Sequence, residues 1–127
     1  MNNTVLVVDD EPSMRRVLRQ FLERAGMQVL EAPSGHEALN VVAGSAPVHA
    51  LVCDVMMPGL SGLDFYDQLV DVRPALRHRV VFLTGAAHDP DVSELIEQRG
   101  VPLVSKLDDL AIVVDAVRLA LLRPATP

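Results

Sequence analysis

Five short apolar runs, each closing on a polar residue or a turn and each followed by a stretch with helical spacing, constrain this chain more than any other feature of its sequence. Residues 4–8 are β-branched and apolar and end in Asp9, Asp10 and Glu11; residues 27–32, broken by Gln28 and Glu31, residues 79–83, which begin at Arg79, and residues 101–105 also read as strands. The central run, Leu51, Val52 and Cys53, stops abruptly on Asp54 and turns at Pro58 and Gly59. Runs this short and this apolar read as strands buried on both faces, the pattern of a parallel sheet. Between them lie helical patterns. Pro12 opens the first, with Val17, Leu18, Phe21, Leu22 and Ala25 at helical spacing, and Gly26 stops it. Ser34, with Glu37 three residues on, caps the second, which carries Ala38, Leu39, Val42 and Ala43 and stops at Gly44. Ser61 caps the third, which buries Leu63, Leu69, Val70 and one of Phe65 and Tyr66 before Pro74. Asp89 and Pro90 start the fourth, which Gly100 stops, and Asp108 is expected to cap a fifth that is apolar almost all round.

Strict alternation of strand and helix predicts an α/β fold, a flavodoxin-like (βα)5 doubly wound parallel sheet with strand order 2-1-3-4-5. At 127 residues the expected organisation is one domain over 1–127. In that order the first, third, fourth and fifth strands deliver Asp9 and Asp10, Asp54, Thr84 and Lys106 to one edge of the sheet, while the second carries no such residue. Open α/β sheets bind their ligands at that edge.

Three converging carboxylates repel one another unless a cation joins them. Carboxylate oxygens without Cys or His suit Mg²⁺ or Mn²⁺, and Mg²⁺ takes one or two carboxylates and shares its remaining positions with water and phosphate oxygen. A lysine ammonium and a threonine hydroxyl aimed at the same point are donors for the oxygens of a transferring phosphoryl group. Asp54 is then the carboxylate placed to attack phosphorus.

Composition narrows the partners. A net charge of -6 argues against nucleic acid or an anionic membrane as a partner, because both need a basic surface. Neither a signal-peptide pattern at Met1, Asn2 and Asn3 nor a membrane-length apolar stretch occurs, so the cytoplasm is the expected compartment. The lone Cys53 reads as a small buried hydrophobe. His36, His49, His78 and His88 lack metal-ligand spacing and read as surface or capping residues. Beyond the acidic pair, Val17 is expected in the helix core and Arg15 exposed.

The ordered set Val7, Val8, Asp9, Asp10, Glu11; Asp54 to Gly59; Leu83, Thr84, Gly85; and Ser105, Lys106 resembles the receiver domain of two-component response regulators, over essentially the whole chain. The resemblance implies that Asp54 accepts a phosphoryl group from a phosphohistidine of a histidine kinase or histidine phosphotransfer domain. It also implies that Asp10, Asp54 and the Met56 carbonyl hold Mg²⁺ directly, with Asp9 acting mostly through water, and that Thr84 and Lys106 bind the phosphoryl oxygens. Three departures stand out. Leu107 follows the lysine where the family usually has a cis proline, so a trans bond and a shifted loop are expected. Leu103 replaces a common aromatic, and no aromatic follows Phe82, so a signal would travel by backbone and helix shifts around residues 84–106. Gly85 stands where a slightly larger small residue is common, leaving the phosphoryl pocket open.

Two rival functions remain. One is an atypical receiver that binds proteins irrespective of phosphorylation. The other is a hydrolase with an aspartyl nucleophile, which would want a second general acid and a lid that the sequence does not show. The expected unit has no output domain of its own, whether it acts alone or as part of a longer regulator or hybrid kinase. A homodimer through the fourth helix, fifth strand and last helix is expected from the apolar character of that helix.

Overall fold

The computed structural model describes residues 3–85 and 89–124. Its strands are β1 (Thr4–Val8), β2 (Gln28–Ala32), β3 (Ala50–Asp54), β4 (Val80–Thr84) and β5 (Leu103–Ser105), and its helices are α1 (Pro12–Arg24), α2 (Gly35–Ala43), α3 (Gly62–Val72), α4 (Pro90–Glu97) and α5 (Leu110–Leu121). A single 3-10 turn, Pro74–Leu76, follows α3. All strand pairs are parallel and the sheet order is β2-β1-β3-β4-β5, the flavodoxin-like arrangement that the alternation predicts.

Why the runs lack polar alternation is visible in the packing. Alternate residues of each central strand enter different cores, and β1 and β3 are buried along their whole length. Leu6, Val8, Leu51, Cys53, Val80 and Phe82 face the core built with α2, α3 and α4, through side chains such as Ala38, Phe65, Leu69 and Ile96. Val5, Val7, Ala50, Val52, Val81 and Leu83 face the opposite core, where Leu18 and Leu22 of α1 meet Val113, Val114 and Val117 of α5. Both Phe65 and Tyr66 of α3 are buried; Tyr66 can be, because its hydroxyl donates to the Arg77 carbonyl at 2.7 Å.

Caps follow the sequence with one correction. Ser34 accepts from the Glu37 amide and Ser61 from the Asp64 amide. Asp109, not Asp108, caps α5, accepting from the Ala111 amide at 2.9 Å. The reason lies in the turn after β5: the Asp108 amide donates to the Ser105 carbonyl and the Leu107 amide to Ser105 Oγ, so the helix starts one residue later. β5 also begins at Leu103, not 101, since Pro102 contributes only its carbonyl, to the Phe82 amide.

Two expectations about α1 are reversed. Val17 is 37% exposed, whereas the Arg15 side chain is only 15% exposed. Leu18 and Leu22 mark the buried face, with Met14, Phe21 and Ala25 packed at its edges. At about 100° per residue Val17 falls on one flank of that face and Arg15 on the other, toward β2. His49 has a structural role, its Nδ1 accepting from the Thr4 amide at 2.8 Å. His88 lies outside the described residues.

Candidate functional site

Strand register decides which residues meet. Val8 is level with Cys53 and Asp54 with Leu83, so Asp9, one residue past β1, comes beside Asp54 at the end of β3. Thr84 is level with Ser105, which hands the chain to Lys106 on the far side. The winding of the sheet reverses between β1 and β3, and the crevice outside those strand ends is where α/β sheets take ligands.

The acids and the lysine converge there. One carboxylate oxygen from each of Asp9, Asp10 and Asp54 lies within 4.8 Å of the others. Asp9 and Asp54 are buried, at 1% and 3% exposure, while Asp10 is exposed. Lys106 Nζ reaches in to 3.1 Å from Asp54 Oδ2 and 3.3 Å from Asp9 Oδ2, with Glu11 Oε1 at 3.7 Å. Each buried carboxylate spends one oxygen on its own loop. Asp54 Oδ1 accepts from the Met56 amide at 3.2 Å, and Asp9 Oδ1 from the Glu11 amide at 2.9 Å. The second oxygens are left to the pocket.

Charge at this edge is unbalanced. Burial, and then the neighbouring Asp9, push the Asp54 carboxyl above its ordinary value, with Lys106 pulling the other way. Burial alone would lower the Lys106 ammonium, but Asp54 and then Asp9 outweigh it and hold it above the usual lysine range. Lys106 is therefore a fixed cation, facing Asp54, Asp9 and Glu11 together. Cys53 is fully buried, and burial followed by repulsion from Asp54 and Asp9 raises its thiol. It is the inert hydrophobe that its position predicts.

Thr84 is fully buried at the tip of β4, and its carbonyl accepts from the Lys106 amide. Met56 lies in the loop after β3 with its side chain exposed and its amide on Asp54. The Lys106–Leu107 bond is trans, as the leucine requires, and Leu107 is 84% exposed. At Gly85 an added Cβ would meet nothing within 4 Å.

The donor set fits a hard divalent ion. Asp9 Oδ2 is a buried oxygen without an aligned hydrogen bond, facing Lys106 as an ion pair only. Two oxygens on one Mg²⁺ are at most about 4.2 Å apart, given metal–oxygen distances near 2.1 Å. The acidic cluster, with one oxygen of each acid within 4.8 Å of the others, is close to that spread.

Oxygen-rich acids around one lysine, at the ligand edge of a doubly wound sheet, define a domain suited to metal-assisted phosphotransfer. The response regulator receiver domain family matches residues 5–118, and the chain belongs to that family. It is 33% identical to the response regulator GtcR of Aneurinibacillus migulanus over 91 residues, which cover 72% of this chain and 36% of that protein. Among solved structures, a response regulator receiver domain protein from Clostridium thermocellum superposes with a TM-score of 0.82 at 27% identity, over 94% of each chain. The response regulator TrrA of Thermotoga maritima, solved in complex with Mg²⁺ and beryllium fluoride, gives 0.79 at 27% identity, over 93% of this chain and 98% of that one. Curated relatives are longer; matched stretches span 25% of one and 43% of another.

Proposed function

We propose that this domain takes a phosphoryl group onto Asp54 from the phosphohistidine of a histidine kinase or histidine phosphotransfer domain. An Asp54 carboxylate oxygen attacks phosphorus, the P–N bond breaks, and its electron pair stays on the departing nitrogen, while the ring's other nitrogen keeps its proton so that a neutral imidazole leaves. Asp10, Asp54 and the Met56 carbonyl would hold Mg²⁺, with Asp9 acting through water. Bound there, the ion would neutralise carboxylates and phosphoryl oxygens together. Lys106 gives up its contact with Asp54 Oδ2 to bind a phosphoryl oxygen, and Thr84 supplies a hydroxyl to another. The observation that carries this reading is the position of Lys106 Nζ, within 3.3 Å of the two buried acids it must share with a phosphoryl group.

The output is a conformational change, followed by association of two copies through α4, β5 and α5. That face presents Ile112 and Leu119 of α5, both more than 40% exposed. An exposed Leu107 and the lack of an aromatic at Leu103 favour a second reading, a binding module indifferent to phosphorylation.

Titration with beryllium fluoride, a phosphoryl analogue, separates the two. With Mg²⁺ present, calorimetry is expected to show saturable binding that Asp54→Asn abolishes, and light scattering a rise in mass on saturation. No binding favours the indifferent module; binding at constant monomer mass removes the dimer alone.

A further inference from the structure

Arg15 and Arg19 of α1 and Glu31 of β2 lie near the site and have no part in the proposed chemistry. They form one connected chain. Arg15 Nη1 donates to the backbone carbonyl of Asp9 at 2.6 Å, while its Nε donates to Glu31 Oε1 at 3.2 Å. Glu31 Oε2 accepts from Arg19 Nε at 2.7 Å, and Arg19 Nη1 lies 3.7 Å from Glu23. Hydrogen bonding from Arg19 comes first among the causes that hold the Glu31 carboxyl below its usual range, opposed by partial burial and reinforced by Arg15.

We propose that Arg15 is a positioning residue for the metal-binding acids, held in its working rotamer by Glu31. The proposal rests on the reading that the Asp9, Asp10 and Asp54 cluster binds a divalent ion. The Asp9 carbonyl and the Asp10 amide belong to one planar peptide unit, so fixing the carbonyl oxygen also fixes the plane from which Asp10 departs. On its other side Asp9 is tied to β2, its amide donating to the Ala32 carbonyl at 3.2 Å. Asp9 lies at the site between these two ties, and Asp9 Oδ1 is already engaged by the Glu11 amide. The first helical hydrogen bond of α1 uses the Glu11 carbonyl, so the helix offers the Asp9 carbonyl no donor of that kind. Arg15 supplies a charge-assisted one in a place where an unpaired carbonyl would be costly. Because the guanidinium fork spans two acceptors, a lysine cannot replace both contacts. Strand β2, which brings no residue to the pocket itself, thus acts on it through Glu31.

Coulomb attraction and positioning predict opposite signs, and this makes the idea testable. Removing a cation near three carboxylates would by charge alone tighten a divalent ion; losing the fixed peptide plane would weaken it. The measurement is Mn²⁺ affinity of the unphosphorylated protein, read as free ion by electron paramagnetic resonance, for wild type, Arg15→Ala, Arg15→Lys, Glu31→Gln and the pair Arg15→Ala with Glu31→Gln. Arg15→Ala is expected to weaken Mn²⁺ about tenfold, the usual effect of losing an outer partner of a metal ligand. Arg15→Lys should recover part of that loss. Glu31→Gln should weaken binding by a few fold, and add little once Arg15 is gone, because both act through one contact. Unchanged or tighter binding in Arg15→Ala overturns the proposal; should that variant not fold, unchanged binding in both Arg15→Lys and Glu31→Gln overturns it. Wild type that binds no Mn²⁺, or an Asp54→Asn variant that binds as well as wild type, removes the underlying metal reading instead.

Discussion

Replacing Lys106 with alanine is expected to slow phosphoryl uptake from a small-molecule donor by about a hundredfold or more, and to destabilise the metal-free protein as well. The kinetic part follows from losing a donor aimed at charge that develops during transfer, an effect typically worth 10² to 10³ in rate. The stability part follows from what remains: Asp54 and Asp9, both buried, without the ammonium at 3.1 and 3.3 Å. Breaking a fully buried pair costs about 3–5 kcal/mol, and a side chain that keeps 19% of its surface exposed contributes less, so about 2 kcal/mol is expected near neutral pH. The sign with pH is fixed by the shifts. The folded state holds the Lys106 proton more tightly than the unfolded chain, so its contribution is fully present below the ordinary lysine value and is lost as pH rises through the elevated one. On the acid side, the deficit of the variant closes as Asp54 takes up a proton, which begins above the ordinary carboxylate value. Urea midpoints at several pH values would check this, and millimolar Mg²⁺ is expected to restore part of the loss by binding the folded state. Equal stability of variant and wild type at neutral pH would mean that the lysine is not paired as the distances indicate.

Gly62→Ala is expected to be the most damaging alanine substitution among the glycines, costing about 3 kcal/mol or more. Gly62 opens α3 and its amide donates to the Val55 carbonyl at 2.9 Å, which presses the start of the helix onto the end of β3. A Cβ there would run into the carbonyl oxygen of Asp54 and lie 2.9 Å from the Cα of Val55. Neither neighbour is a flexible side-chain end, so relief requires moving backbone. Moving it would also shift Asp54, whose carbonyl oxygen is the nearest obstacle. Gly35 makes the contrast, since a Cβ there would meet the flexible Leu60 side chain. Urea unfolding of both alanine variants checks the claim: a large loss at Gly62, a small one at Gly35. Similar small losses would show that α3 can ride away from β3.

The fold and the central acids were legible because both depend on short-range patterns. Buried parallel strands leave uninterrupted apolar runs, and the residues that end those runs become neighbours once the strand order is known. Asp9, Asp54 and Lys106 meet for that reason. Arg15 and Glu31 were not legible, because a charged residue on a helix flank and one on an edge strand look solvated until tertiary contacts join them. The need for glycine at Gly62 was hidden behind Ser61, whose cap explains the local sequence without it. The cap falls on Asp109, one residue beyond the Asp108 that the local pattern favours, because the turn after β5 is set by Ser105, not by the acid pair.

Intact mass after incubation with acetyl phosphate and Mg²⁺ is the most direct test of the central claim. Wild type is expected to gain one phosphoryl group, lost on chelation of Mg²⁺ before the donor is added, and mapped after borohydride trapping to Asp54; Asp54→Asn is expected to gain none. A phosphoryl group found elsewhere, or the same gain in Asp54→Asn or without Mg²⁺, would contradict the account.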